Sequence, residues 1–214
     1  MDNAFIGQIT DLLGSSEAHR LFEALGDGPA VSIRVNNAKC RLQPSGDSVP
    51  WCGNGFYLDE RPAFTFDPLL HAGTYYVQDA SSMFITHVLR QITGDEAVTC
   101  LDLCAAPGGK TTAALDALTD DSLIVCNEID SQRAQILREN VVKWGRTNCV
   151  VTNDTPRRLG RLRGFFDIIA TDMPCSGEGM FRKDEEAVRQ WSPSLVAQCA
   201  ARQREIIADI WDAL

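Results

Sequence analysis

The stretch LDLCAAPGGKTT, Leu101 to Thr112, decides the fold. An apolar run, Val98–Leu103, leads straight into Pro107, Gly108 and Gly109. Lys110, Thr111 and Thr112 then open a helical pattern. This order predicts a strand, a tight turn and a helix start. In open α/β sheets, ligands bind beyond the carboxyl ends of the strands, where such turns lie. A helix N-terminus there presents unpaired N–H groups and a partial positive charge. The turn therefore suits something anionic or strongly polar. A second turn, TDMPCSGEG at 171–179, also follows an apolar strand. The two turns are expected to share one pocket.

Outward from this stretch the pattern alternates. Asp79 suits the N-cap of a helix through Met83, Phe84, Val88 and Leu89, stopped by Gly94. Helix Lys110–Leu118 follows the first strand. Leu123–Asn127 predicts a strand, and Ser131–Trp144 a helix with Ala134, Leu137, Val141 and Trp144 on one face, ended by Gly145. Cys149–Thr152 reads as a strand, FFDIIAT (Phe165–Thr171) as a continuous buried strand, and Ser194–Leu214 as a helical tail. Strands alternating with helices predict a parallel sheet with helices on both faces.

Residues 1–75 read as a separate small α+β module, and 76–214 as a second, incomplete domain. Phe5, Ile6, Ile9, Leu12 and Leu13 have helical spacing that Gly14 can end. Ser15 or Ser16 can cap the next helix, which carries Leu21, Phe22 and Leu25. VSIRV (Val31–Val35) alternates as a strand does, and 43–68 is rich in Pro, Gly and Asp, predicting turns and short strands. Four strands make half of a doubly wound sheet, and the chain stops within the helical pattern IADIWDAL. The expectation is a piece of a larger protein.

A composition of 44% hydrophobic and 23% charged residues is globular. The net charge of −9 argues against a nucleic-acid grip spread over the whole surface, but leaves room for a local basic patch. The N-terminus lacks the basic cluster and long apolar run of a signal peptide. No apolar run approaches the roughly 18 residues of a membrane span, so no membrane association is expected. The eight cysteines are scattered, with Cys100, Cys126 and Cys149 inside strand-like runs. Reduced thiols in a cytoplasmic protein fit that distribution. No C-x-x-C pair occurs and only His19, His71 and His87 supply imidazoles, so no metal site is expected.

GGKT resembles the end of a phosphate-binding P-loop, but Cys104 stands where that loop needs its first glycine. The dinucleotide fingerprint G-x-G-x-x-G is absent too. The glycines could simply permit close helix–strand packing. The next strand ends at Cys126-Asn127-Glu128. A carboxylate there, about 20 residues past the glycines, suits a ribose diol. Asp154 in TND ends the third strand, and can meet an adenine edge or merely cap a turn. Polar groups at three successive strand ends point together to a nucleoside. Cys175, in the turn after the fourth strand, becomes a nucleophile if Lys110, Arg182 or Lys183 lowers its pKa; the alternative is a structural thiol. Asp172 can orient a substrate by hydrogen bonding.

LDLCAAPGGKTT, CNEID, TDMPCSGEGMFRKD, SIRVN and YYVQDASSM together resemble the Nop/Sun family of RNA 5-methylcytosine methyltransferases, in detail its bacterial ribosomal RNA members, over nearly the whole chain. The resemblance implies an α/β, Rossmann-like methyltransferase sheet with S-adenosylmethionine as cofactor. The cofactor would lie along Cys104, Ala105, Ala106, Pro107, Gly108, Gly109 and Lys110. Its ribose would meet Glu128 and its adenine Asp154, with Asp172 near the methyl end and Arg133 contributing. The substrate implied is RNA, ribosomal or transfer. A cysteine thiolate adds to carbon 6 of a flipped-out cytosine, carbon 5 takes the methyl group, and the carbon-5 proton and the cysteine then leave. Lys110 and Asp172 would hydrogen-bond the base and stabilise charge developing on its ring.

In that family the cysteine matching Cys175 assists product release, and the attacking nucleophile follows Thr after a fifth strand. Residues 176–214 hold only Cys199, in AQCAARQ. The expectation is that this chain lacks the nucleophile and is inactive alone. One alternative is attack by Cys175 itself, as in DNA cytosine methyltransferases. Another is a cofactor- or RNA-binding module without catalysis. Without its fifth strand, the Phe165–Thr171 edge is expected to be exposed and to favour self-association.

Overall fold

The computed structural model describes residues 1–42 and 44–214. The expected turn-rich stretch begins at Gln43, which lies outside the described residues. In chain order the helices and strands are α1 (Asn3–Leu13), α2 (Ser15–Gly26), β1 (Val31–Val35), β2 (Gly55–Leu58), α3 (Pro68–His71) and β3 (Tyr75–Val77). Then follow α4 (Phe84–Thr93), β4 (Thr99–Asp102), α5 (Gly109–Ala117), β5 (Leu123–Asn127), α6 (Ser131–Trp144) and β6 (Cys149–Thr152). The last are α7 (Pro156–Leu159), β7 (Ile168–Ala170), α8 (Glu185–Gln190) and α9 (Pro193–Ile210).

Two compact units result. The first comprises residues 1–29 and 173–208, the second 30–172 and 209–214. In the first, Asp2 caps α1 by accepting from the Ala4 N–H at 2.7 Å. Gly14 ends that helix at φ +79° and also takes the N-cap place of α2, so neither Ser15 nor Ser16 is the cap. Buried Phe5 is the centre of an aromatic cluster, with ring centroids 5.1 Å from Phe181 and 5.3 Å from Trp191.

The second unit holds both sheets. Strands β2-β1-β3 form an antiparallel sheet, and β6-β5-β4-β7 a wholly parallel one, the α/β arrangement expected of a Rossmann-like sheet. Its order follows from short right-handed crossovers through α5 and α6, then a return from β6 past β5 and β4 to β7. Leu89, Leu115, Ile124 and Trp144 pack together between the sheet and its helices. Three elements differ from the sequence pattern. The α-helix begins at Phe84, after a 3-10 turn over Ser81–Met83, and not at Asp79. Strand β4 is shorter than its apolar run. Most of FFDIIAT is not strand: β7 is three residues long, half-buried, and lies at the sheet edge. Phe165 and Phe166 instead use their N–H groups on the Ala213 carbonyl.

Arg34 of β1 ties the antiparallel sheet to helices α5 and α6, which pack on the parallel one. Its side chain is fully buried and ion-paired with Asp116 of α5. It donates to the Gln78 side-chain oxygen at 2.9 Å and to Thr112 Oγ1 at 2.5 Å, and its guanidinium lies 4.5 Å over the Trp144 ring. Burial pulls its pKa below the ordinary value while Asp116 opposes this, and the group remains a cation. Removing one partner of such a pair strands the other charge without water. Arg34→Ala should therefore destabilise the fold by about 3–5 kcal/mol, whereas Arg34→Met with Asp116→Leu should cost clearly less. Urea unfolding followed by tryptophan fluorescence checks both.

Candidate functional site

The site is built where β4, β5 and β6 end. After β4 the chain turns through 103–108, with a cis Ala106–Pro107 peptide, into α5. Gly108 takes φ +109°, a left-handed conformation that favours glycine. A Cβ on it would lie 3.2 Å from Leu137 Cδ1, and one on Gly109 3.4 Å from Tyr76 Cε1. Both glycines thus serve close packing, against α6 and β3. They also shape the ligand side: Gly108 puts no side-chain cap on α5, so the first-turn N–H groups remain available to a ligand. The Pro107 carbonyl is held from behind, accepting from Asn140 Nδ2 at 2.8 Å and the Tyr76 hydroxyl at 3.3 Å.

Asn127 fastens the strand ends together. It is 1% exposed. Its amide donates to the Leu103 carbonyl at 3.2 Å and the Asp154 carbonyl at 3.0 Å. Its oxygen accepts from the Asp154 N–H and from Thr152 Oγ1, both at 2.9 Å. Sequence reasoning passed over Asn127; its only signal was its place next to Glu128.

Glu128 is 2% exposed. Its Oε1 accepts from the Asp130 N–H at 3.1 Å, while Oε2 is buried without a hydrogen-bond partner. The Arg133 guanidinium stands 3.5 Å from that oxygen and donates to the Ala106 carbonyl at 3.0 Å, linking α6 to the turn. Buried carboxylate oxygens are rarely left unpaired, so Oε2 is a vacant acceptor facing the turn region. Asp154 is partly buried; its Oδ1 accepts from the Thr155 N–H at 2.8 Å and lies 3.4 Å from Arg158. Here the turn-capping role is realised, with the second carboxylate oxygen left over.

Across the turn, Lys110 Nζ donates to Asp172 Oδ2 at 2.6 Å, so the first residues of α5 meet the residue two past the end of β7. Cys104 lies 3.7 Å from the Thr171 hydroxyl, and burial pushes its thiol pKa up, keeping it neutral. Cys175 is exposed and belongs to the other compact unit. In that unit the Pro174 carbonyl accepts from Gln203 at 2.9 Å. Glu178 accepts from Trp191 Nε1 at 2.8 Å and from Ser176. Burial raises the Glu178 pKa, but these hydrogen bonds outweigh it and hold the carboxyl below its usual range. Cys199 is within α9. Among the described residues no cluster of His, Cys, Asp or Glu could hold a metal ion, and no helix is long and apolar enough to cross a membrane.

Beneath the turn lies Asp102, which sequence reasoning did not single out. It is 3% exposed and accepts from Thr111 Oγ1 at 2.7 Å. Burial pushes its pKa up to about 6, with Asp172 and Glu128 adding to the rise and Thr111 and Lys110 opposing it. A carboxyl whose folded pKa exceeds its unfolded value lowers stability above the folded pKa, and this cost is relieved as pH falls through it. Between pH 7 and pH 4, wild type should therefore gain about 2–3 kcal/mol relative to Asp102→Asn. Thermal melts of the two proteins across that range check the sign.

Comparison with known proteins places this geometry. Residues 89–214 match the family model described as 16S rRNA methyltransferase RsmB/F, and residues 1–80 that of the N-terminal domain of 16S rRNA methyltransferase RsmF. Ribosomal RNA small subunit methyltransferase F of Pectobacterium carotovorum is 37% identical over 98% of this chain and 46% of its own length. That of Escherichia coli is 33% identical over 99% of this chain and 47% of its own. The chain thus spans about half the length of these curated relatives. A methyltransferase homolog protein from Pyrococcus horikoshii superposes with a TM-score of 0.77 at 26% identity, covering 98% of this chain and 68% of that one. NSun6 from the same organism, solved with SFG, shares the fold, with a TM-score of 0.79 at 16% identity, covering 100% and 80%. With a vacant carboxylate at the end of β5, a glycine turn at the end of β4, and a family model matched over all of the parallel sheet, the chain belongs to the 16S rRNA methyltransferase RsmB/F family.

Proposed function

We propose that this chain binds S-adenosylmethionine and forms part of an enzyme that methylates carbon 5 of a cytosine in ribosomal RNA. The observation that carries the reading is Glu128 Oε2, a buried acceptor that has the Arg133 cation nearby but no hydrogen-bond partner. A ribose diol would supply the hydroxyl donors it lacks. Cys104 to Lys110 would run along the cofactor, with Arg133 holding the turn to α6, Asp154 offering its free oxygen to the adenine edge, and Asp172 near the reacting end. When bound, the cofactor supplies an electrophilic methyl group. Four carboxyl groups, Asp102, Glu128, Asp154 and Asp172, near these strand ends suit a ligand bearing positive charge.

Lys110 and Asp172 have the chemistry to hydrogen-bond the target base, the ammonium donating to its carbonyl and the carboxylate accepting from its amino group. Their 2.6 Å contact keeps both groups oriented before substrate arrives. Cys175 would assist product release, in which a base takes the carbon-5 proton and the attacking sulfur leaves carbon 6, with that attacking thiolate supplied from outside residues 1–214. Residues 1–75 and 76–214 form the two modules of this reading, a division of descent supported by separate family models for 1–80 and 89–214. A cytoplasmic location is supported by eight free cysteines. Self-association through β7 is supported by its edge position, paired among the described residues with β4 alone.

Two measurements test the proposal. Calorimetric titration should show S-adenosylmethionine binding, weakened about ten- to a hundredfold in Glu128→Ala, the loss expected of charge-assisted hydrogen bonds to the diol. Unchanged affinity would sink the assignment. RNA containing 5-fluorocytosine should give no covalent adduct with this chain; an adduct abolished by Cys175→Ala would make Cys175 the attacking nucleophile instead.

A further inference from the structure

Cys175 is the one exposed thiol of eight, and the residues on either side of it are both held. Before it, the Pro174 carbonyl accepts from Gln203 of α9 at 2.9 Å. After it, Ser176 Oγ donates to the Glu178 carboxylate, lying 2.7 Å from Oε1 and 2.8 Å from Oε2. Gly177, between those two, takes φ +87°, a left-handed conformation that suits glycine, and leads into a 3-10 turn over Glu178–Met180.

The same carboxylate reaches the interior of its unit. It accepts from Trp191 Nε1 at 2.8 Å. Trp191 is buried, and a buried indole N–H needs an acceptor. The Trp191 ring stands edge-on to Phe5 of α1, with centroids 5.3 Å apart and ring planes at 76°. Phe5 also packs against Phe181, three residues past Glu178, at 5.1 Å. Arg182 donates to the Gly28 carbonyl at 2.9 Å, a second tie between this loop and the N-terminal segment. All of these residues belong to the first compact unit. A continuous set of contacts therefore runs from Phe5 through Trp191, Glu178 and Ser176 to the position beside Cys175. The cofactor reading gives Glu178 no task.

We infer that Glu178 is a positioning residue for Cys175, and that helix α1 braces it through Trp191. This deepens the reading of Cys175 as the thiol that assists product release, and rests on it. A group that must act at one moment of a reaction gains from being held beforehand, because its ordering cost is then met on folding. Hydrogen bonds to a carboxylate are strong enough to hold a loop in this way. Helix α1 thereby acquires a part in the chemistry without touching substrate: residues 1–29 form one unit with 173–208, the segment that carries Cys175.

The test is electron spin resonance of the 214-residue chain carrying a nitroxide on Cys175, with a Cys175→Ala blank for label attached elsewhere. Wild type should show restricted motion, and Glu178→Ala the narrow lines of a freely moving loop. Without the label, the Met180 and Phe181 amides, bonded to the Gly177 and Glu178 carbonyls at 2.9 and 3.2 Å, report the same event by hydrogen exchange. They should exchange about ten- to a hundredfold faster in Glu178→Ala, while the amides of β4 and α5 keep their wild-type rates. Glu178→Gln keeps an acceptor for Trp191 and a partner for Ser176, and should restore most of both signals. Loosening that Glu178→Gln does not relieve would make the effect one of charge and overturn the hydrogen-bonded clamp. Phe5→Ala should loosen Cys175 in the same direction; wild-type order there overturns the brace. If Glu178→Ala fails to fold, seen as lost protection in β4 and α5, Trp191→Phe takes its place, keeping a ring and removing the donor. Unchanged order at Cys175 in these variants overturns the inference. Clamp-dependent order in a chain that does not bind S-adenosylmethionine would leave the positioning standing and count against the methyltransferase reading.

Discussion

A single buried cation, Arg34, holds the second unit in its working arrangement. Its guanidinium touches Gln78 just after β3, Thr112 and Asp116 of α5, and the face of Trp144 in α6. Trp144 Nε1 donates in turn to Asp116 at 3.1 Å, and Asn54 donates to the same carboxylate at 3.0 Å. So costly a group is tolerable inside a protein only when every donor is matched. The matching partners come from the residue after β3 and from helices α5 and α6, which fixes the antiparallel sheet against those helices. Helix α5 begins at the glycine turn, so this network also sets where the turn and Lys110 stand.

The site is then assembled from backbone, with few side chains acting directly. Asn127 spends all its hydrogen-bonding capacity on neighbouring strand ends. Asn140 and Tyr76 hold the Pro107 carbonyl, and Arg133 holds that of Ala106. What remains unsatisfied is the set of first-turn N–H groups on α5, one oxygen of Glu128, and one of Asp154. Acceptors and donors left vacant at one place arrange a receptor before any ligand arrives, which reduces the ordering cost of binding.

Charge is distributed to the same end. Carboxyl groups collect at the strand ends, and a low-dielectric setting raises the Asp102 pKa, so a cationic ligand relieves repulsion already present. Residues 133–163 carry eight of the 20 Lys and Arg residues. Bulk charge hides this division, because a net of −9 averages stretches of opposite sign.

The sequence alone determined the strand–turn–helix order of the parallel sheet, because apolar periodicity and glycine punctuation are local signals. Helix Ser131–Trp144, with Gly145 at φ +87° as its stop, was legible to the residue. The polar groups at the strand ends were legible too, since chain order puts each at a carboxyl end. The family motifs supplied their chemical meaning. Only the tertiary structure decided that one Glu128 oxygen is buried without a hydrogen bond, that Asn127 locks three strand ends, that Asp102 is buried and that Arg34 ties the antiparallel sheet to α5 and α6. It also shortened FFDIIAT to a three-residue strand, because the sheet pairs only Ile168–Ala170 with β4 while the two phenylalanines turn to Ala213. Hydrogen-bond satisfaction and burial depend on residues distant in the chain, and no local pattern encodes them.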